Sequence, residues 1–591
     1  MGERGGEIAD RYIGPSFTAL RVGGPGALIQ WLLTLPSVRS VDRPPVADVE
    51  AAELLEATIT DIGDIITPDE HSPLVAIIDS GVNDAHPILR GVVLGRSASP
   101  ATLGLNDEYG HGSRVSGIAA YGNVRECLER GEFQAQTRLL SGKVVDDMGR
   151  FEDRRLVPSQ IDELVRALHA RGCRIFNISL GDRQSIYAGE KVGLWTATID
   201  LLARELDVLF IVSCGNYEHA PANGNPDDHV LGYPRFLLND GSRILEPAPA
   251  ANALTVGAIA HAAAVREQRA GDVALRPIAA VGEPSPFTRC GPGIAGAIKP
   301  ELCDDGGNLT FDGMTQGILR QPEVEILTAH HRYLERLFTT AKGTSYAAPL
   351  VAHKAALVLE AFPGSSANLL RALLANSSAI PRQARELCAA FGDEAVARLC
   401  GYGIPDPILA TTSDTNRVVL YADGAMEMDR FYVYEVPVPE VFATTRGSRR
   451  VRVTLAFDSP TRHTRASYLG VEMSFRLIRG KSLGDVIEHF RKRNVETEGR
   501  HPEMPPANNC DFDLGPQLRE RGTLQSATFW MKRNPAPEYG ETYYLVVRCE
   551  RQWYPNEFDR QRFAVVVELQ HEGDIPLYER VREWVEVRVR A

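Results

Sequence analysis

Long apolar runs are missing from this sequence. The most hydrophobic stretches, at 74–78 and 208–212, have strand length, far below the roughly 20 residues that a membrane-spanning helix needs. Positive charge is also scarce: 64 Lys and Arg stand against 77 Asp and Glu, for a net charge of −13. That balance excludes a dedicated nucleic-acid binder, which needs a basic footprint to neutralise phosphates. No CxxC pair occurs, and the nine cysteines are odd in number and widely spaced. Reduced thiols suit such usage better than a disulfide frame. The N-terminal MGERGGEIADRY has no apolar core of the kind a secretory signal carries, and the C-terminal RVRA is not a lipidation box. Repeats and long low-complexity tracts are absent too. A soluble, cytoplasmic protein without membrane or nucleic-acid partners is expected.

What is present organises the 591 residues into three regions. Residues 1–70 read as a small α+β piece: 27–35 has helical apolar spacing ending at Pro36, and 38–41 alternates like a short strand before Pro44-Pro45. From 71 to 410 strands and helices alternate. LVAIID (74–79), LLSGKVVDD (139–147), CRIFNISLG (173–181) and VLFIVSC (208–214) are the strand candidates, and Ile161, Leu164, Val165 and Leu168 form a helical stripe that stops at Gly172. Such alternation predicts an α/β fold with a parallel sheet covered by helices on both faces, and ligand sites at the carboxyl ends of its strands. From 411 to 591 period-two segments at 431–438, 450–457, 470–478, 528–531, 543–548 and 563–569 predict an antiparallel β-sandwich-like domain. One helix interrupts it, with Ser482 as N-cap and Val486, Ile487 and Phe490 as its apolar stripe.

Four short segments carry chemistry: IIDSG (77–81), GHGSRVSG (110–117), SCGN (213–216) and GTSYAAP (343–349). Asp79 ends a buried strand, and His111 opens an apparent helix between two glycines. Asn216 follows Gly215 at another strand end, and Ser345 begins a helix that runs to about Ala361. A carboxylate, an imidazole, an amide and a hydroxyl at such positions are what acyl transfer needs: a nucleophile, its base, an orienting acid and an oxyanion donor. A serine at a helix N-terminus also aims free backbone N–H groups at a developing negative charge. Taken singly, each segment reads as an ordinary turn or helix start. Their joint occurrence in this order is the signal.

In that order, and with His111 32 positions after Asp79, the segments resemble the subtilisin-like serine peptidases of the subtilase family. The resemblance covers about 74–405 and ends in GYGIPD (401–406). It implies Asp79, His111 and Ser345 as catalytic triad, Asn216 as oxyanion-hole amide, and Ser179, Leu180, Gly181 and Gly215 as binders of an extended protein or peptide substrate. PFTRCGP (286–292) is similar to a family segment that precedes the serine. The family's calcium sites cannot be traced, and no metal or cofactor is expected.

Departures are specific. Ser113 and Arg114 stand where the family has Thr and a second His, Tyr346 replaces Met, and His353 occupies a small-residue position. Asp182 makes the end of the substrate strand more acidic. Residues 313–342 form an insertion-like segment with an apparent helix around 330–338, read as a lid or regulatory element. Residues 32–45 faintly resemble the end of an inhibitory prodomain, the alternative being a plain adaptor. Residues 450–480 resemble the C-terminal β-domain of bacterial intracellular subtilases whose genes neighbour an AAA-type ATPase, which implies such an ATPase as regulatory partner. The reading is a serine endopeptidase acting through an acyl-enzyme. The alternative is a latent interaction protein on the same fold, controlled by a partner.

Overall fold

The computed structural model describes residues 5–13, 18–38, 41, 57–152, 154–189, 191–221, 225–264, 275–465, 467–491, 504–532, 539–553 and 559–590. The chain divides into two compact units, Met1–Glu53 and Leu54–Ala591. In the first, strands Glu7–Ile13 and Thr18–Gly23 pair antiparallel and a helix follows at Gly26–Leu33. Leu28 and Leu32, one turn apart, are its buried face. The strand expected at 38–41 falls partly outside the described residues.

The second unit is built on seven parallel strands: β1 (Leu74–Asp79), β2 (Val93–Ala98), β3 (Arg138–Lys143), β4 (Ile175–Ile178), β5 (Leu209–Ser213), β6 (Leu254–Ile259) and β7 (Leu302–Asp305). Their order across the sheet is β7-β6-β5-β4-β1-β3-β2. The first strand therefore lies inside the sheet, and the chain builds outward on one side of it and then on the other. Asp79, the last residue of β1, stands at the switch point where such sheets open a crevice.

Strand β1 shows why a continuous apolar run is required. Val75 and Ile77 enter one core, shared with helices α1 (His111–Tyr121), α4 (Thr344–Ala361) and α5 (Ala367–Ser377). Ala76 and Ile78 enter a second core on the opposite face, under α2 (Val157–His169) and α3 (Leu194–Leu206). Alternate side chains point to opposite faces, so a strand buried on both sides has no polar position to spare. The stripe Ile161, Leu164, Val165 and Leu168 is the buried face of α2, as its spacing predicts.

The segment at 330–338 is not helical. It joins two antiparallel strands, β8 (Ile326–Ala329) and β9 (Phe338–Ala341). The β-branched residues Ile326, Thr328, Thr339 and Thr340 favour the ladder, and the expected helix is only the turn between its arms.

Beyond them lies a β-sandwich. Its larger sheet comprises β10 (Arg417–Glu427), β12 (Arg449–Phe457), β14 (Leu524–Trp530) and β16 (Arg560–His571), in the order β10-β16-β12-β14. The smaller comprises β11 (Phe431–Pro437), β13 (Val471–Ile478) and β15 (Thr542–Arg551), in the order β11-β15-β13. Strand β10 was not legible as such. Asp423 and Gly424 interrupt its alternation, yet all eleven residues pair with β16. The helix at Leu483–Arg491 is capped as expected, the Ser482 hydroxyl accepting from the Asp485 N–H at 3.2 Å.

The sandwich and the α/β layers share their packing. On β12, Val451, Val453 and Leu455 face the sandwich core together with Met473, Phe475 and Leu477 of β13. The intervening residues face α5: Arg452 donates to the carbonyls of Asn376 and Ser378, both at 2.7 Å, and Thr454 donates to Asn376 Oδ1 at 3.1 Å. Arg371 of α5, 1% exposed, donates to the Phe457 carbonyl (3.0 Å), the Ala251 carbonyl (3.1 Å) and Thr523 Oγ1 (2.7 Å). Truncating a buried, bonded cation leaves its acceptors without donors. Arg371→Met is therefore expected to cost on the order of 3 kcal/mol, read as a lower urea midpoint at unchanged m. A shift of a few tenths would show that this side chain does not couple the layers.

Candidate active site

Asp79 and His111 are brought together by a small buried network. His111 Nδ1 lies 2.8 Å from Asp79 Oδ1 and 2.9 Å from Oδ2. The carboxylate is buried and the imidazole is 15% exposed. An ionised carboxylate only accepts, so Nδ1 carries the proton and Nε2 keeps a lone pair. The Ser80 N–H also donates to Asp79 Oδ1, at 2.8 Å.

Asp107, a residue the motif reading passed over, holds the two segments in register. It is fully buried and accepts from Ser80 Oγ (2.8 Å), the Gly110 N–H (2.6 Å) and the Ser113 N–H (2.7 Å). Ser80 Oγ in turn accepts from the Gly112 N–H at 2.9 Å. Burial pushes the Asp107 carboxyl above the ordinary range, and these hydrogen bonds oppose the rise. Asp107 lies outside the four motif segments, three residues before the N-cap Gly110, so neither motif nor N-cap pattern marks it. Gly112 is required by close approach: a Cβ there would come within 2.1 Å of the Gly81 carbonyl oxygen.

Ser345 lies in the first turn of α4, whose interior Pro349 explains part of the site. Proline has no N–H, so the carbonyl four residues back, that of Ser345, lacks its helical donor. Ser179 Oγ supplies one at 2.9 Å and itself accepts from Asn177 Nδ2 at 3.0 Å. The Ser345 hydroxyl donates to the Ser179 carbonyl at 3.0 Å and not to the imidazole. The structure thus joins Asp79 to His111 directly, and the Ser345 hydroxyl is bonded to the Ser179 carbonyl. The His111 ring is 5.8 Å from that of Tyr346, the residue next to Ser345.

Asn216 reaches the same helix start. The Thr344 N–H donates to Asn216 Oδ1 at 2.9 Å. A backbone N–H can only donate, so the other end of the amide is the NH₂ group, and its Nδ2 lies against Gly343. Gly343 has φ +144°, and a Cβ there would come within 3.0 Å of Nδ2. Ser179 is buried, while Leu180, Gly181 and Gly215 are partly exposed along the strand ends β4 and β5.

The departures pack as structural parts. Arg114 Nε donates to the Gly110 carbonyl at 2.7 Å. Tyr346 is buried, which pushes its hydroxyl up to about 12, so it stays neutral. His353 is pushed down to about 4 by burial, and its ring bonds the Ala119 carbonyl at 3.0 Å. The β8–β9 hairpin is fastened to the same region: Thr328 Oγ1 donates to the Arg114 carbonyl at 2.6 Å, and Asn83 Nδ2 to the His331 carbonyl at 2.9 Å. Asp182 is exposed and opens the short strand Asp182–Ile186, which pairs with Leu245–Glu246. All nine cysteines are free and buried, and burial raises the Cys214 thiol to about 11. Among the described residues no group of three or more His, Cys, Asp or Glu is placed to hold a metal ion, and no helix is long and apolar enough to cross a membrane.

The sequence pattern of the subtilase family matches residues 70–403, more than half of the chain. The chain belongs to the subtilase family. Its sheet, with the layers around it, is the subtilisin-like fold, and the family match makes 70–403 a peptidase domain of the serine type. A second pattern, the Y4kK central domain, matches residues 1–43. This subtilase is 48% identical over 439 residues to protein y4bN of Sinorhizobium fredii, across 74% of this chain and 100% of that protein. It is 42% identical over 92 residues to y4kK of the same organism, across 16% of this chain and 29% of that one. Mycosin-3 of Mycobacterium tuberculosis is 26% identical over 344 residues, across 55% of this chain and 67% of its own. Among solved structures, a mutant of the protease domain of PatA is 20% identical with a TM-score of 0.37, covering 58% of this chain and 95% of its own. A lanthipeptide protease is 19% identical with a TM-score of 0.36, over 57% and 87%.

Proposed function

We propose that the chain is a cytoplasmic serine endopeptidase in which Ser345, His111 and Asp79 form the catalytic triad. The observation that carries the reading is the Asp79–His111 pair, whose ring lies against the first turn of the helix that bears Ser345. Rotation about χ1 moves Oγ between staggered wells, and leaving the Ser179 carbonyl forgoes one neutral hydrogen bond, about 1 kcal/mol. Catalytic hydrogen bonds in empty sites commonly tighten only when substrate arrives.

In the proposed reaction Nε2 of His111 takes the Ser345 proton as Oγ attacks the scissile carbonyl. Asp79 holds the ring in the tautomer that leaves Nε2 free and stabilises the imidazolium. The oxyanion is met by Nδ2 of Asn216 and by the Ser345 N–H at the positive end of α4. His111 then protonates the departing amine, and the acyl-enzyme is released by water activated in the same way. Backbone groups of Ser179, Leu180, Gly181 and Gly215 line the substrate chain by strand addition. Nine buried free thiols suit a reducing compartment.

The test is labelling of the full-length chain with a fluorophosphonate, followed by mass mapping of the adduct. The expected adduct is on Ser345, and one elsewhere removes Ser345 from the mechanism. The resting bond from Ser345 to Ser179 favours a second reading, in which the site is latent until a partner such as an AAA-type ATPase releases it. A chain that labels fully on its own speaks against latency.

A further inference from the structure

The proposed chemistry makes no use of Arg289, in the segment PFTRCGP. Its residue is only 7% exposed, and among the described residues no carboxylate lies within ion-pair distance of it. The guanidinium serves backbone carbonyls instead. Nε donates to Asn216 at 2.9 Å, and Nη1 donates to Gly241 at 3.0 Å and Arg243 at 2.7 Å. Its Cζ sits 5.7 Å from the Tyr217 ring centre, and its own carbonyl accepts from Cys214 Sγ at 3.4 Å. The side chain therefore ties Asn216 to the 241–243 segment, while the main chain of the same residue holds Cys214 on the other side of Gly215.

Two features point beyond plain structure. Asn216 is fixed at two points, its Oδ1 by the Thr344 N–H and its backbone carbonyl by Arg289. Only Nδ2 is then left to face an incoming group. A neutral donor would satisfy three carbonyls without the cost of burying an unpaired cation. The cation instead bonds the backbone of Asn216, the residue whose amide would meet a developing negative charge.

We infer that Arg289 is a positioning residue for the oxyanion site, setting Asn216 so that Nδ2 meets the oxyanion and lending its uncompensated charge to that negative oxygen. The inference rests on the serine-peptidase reading above.

The experiment compares the full-length wild type with Arg289→Met, Arg289→Lys, Asn216→Ala and the Asn216→Ala, Arg289→Met double variant. The readouts are kcat and KM on a fluorogenic peptide, fluorophosphonate labelling rate, and affinity for a peptidyl boronate, whose adduct mimics the oxyanion. Misplacing a catalytic group by an ångström can cost ~10²-fold, so Arg289→Met is expected to lower kcat and boronate affinity by about 10- to 100-fold with KM nearly constant. Arg289→Lys keeps the charge without the fork and is expected to recover part of both. In the Asn216→Ala background the positioning part of the Arg289→Met loss should vanish, because the group being positioned is gone, leaving only the smaller part that the charge supplies.

Equal losses with and without Asn216, or a rise in KM that accounts for the whole effect, would make Arg289 a structural residue and overturn the inference. So would failure of both Arg289 variants to fold. A wild type that does not label overturns the peptidase reading together with this one, whereas an Arg289→Met chain labelled at the wild-type rate overturns this one alone.

Discussion

Ser345→Ala is expected to lower kcat for peptide hydrolysis by about 10⁶-fold, with casein cleavage falling to background and fluorophosphonate labelling lost. The magnitude is the one found when a subtilase nucleophile is removed, and it reflects a unit whose parts do not act separately. Without Oγ no acyl-enzyme forms, however well Asp79 and His111 are paired. The proposed oxyanion donors, Asn216 Nδ2 and the helix-start N–H, remain, so slow direct attack by water should persist. The fold should tolerate the change. What is lost is one hydrogen bond to the Ser179 carbonyl, worth about 1 kcal/mol, and the variant's melting curve checks it. Retention of activity within tenfold would place the nucleophile elsewhere.

Asp79→Asn is expected to cost about 10⁴-fold in kcat while leaving the geometry nearly unchanged. The carboxylate accepts from His111 Nδ1 and from the Ser80 N–H. An amide in its place can present NH₂ to the ring. Nδ1 then becomes the acceptor, the proton moves to Nε2, and the base is gone. Because the tautomer and not the packing changes, the loss should appear in kcat with KM within a few-fold. The labelling rate should fall in parallel, since the fluorophosphonate needs the same activated hydroxyl. A loss in KM alone would mean that Asp79 shapes the cleft without governing the histidine.

The four catalytic-type segments were legible because each sits where chain geometry leaves few choices. Asp79 and Asn216 follow runs so apolar that they must be buried strands, and parallel strands gather their ends on one edge. The departures at Arg114, Tyr346 and His353 were legible as residue changes but not as contacts. Their partners, the Gly110 carbonyl, the His111 ring and the Ala119 carbonyl, are set by helix packing. The 330–338 segment misled because its polar and apolar residues fit a helical period over one turn, while β8–β9 pairing decided the outcome. Strand β10 was missed for the opposite reason: its own residues carry a weak signal, and its partner β16 supplies the order.

Local patterning thus established the α/β and β layers, and it nominated the candidate acid, base, amide and hydroxyl at the strand ends. Those follow from periodicities of two and 3.6 residues and from residue type, which neighbours in sequence already encode. Long-range contact decided the rest: which way the Ser345 hydroxyl rests, how Asp107 locks the turns of Asp79 and His111 together, and how Arg289 grips Asn216. It also fused the sandwich to α5 through Arg371 and Arg452. Apart from the bonds of Asp107 to Gly110 and Ser113, these join residues tens to hundreds of positions apart, and their directions depend on side-chain packing that no short stretch of chain contains.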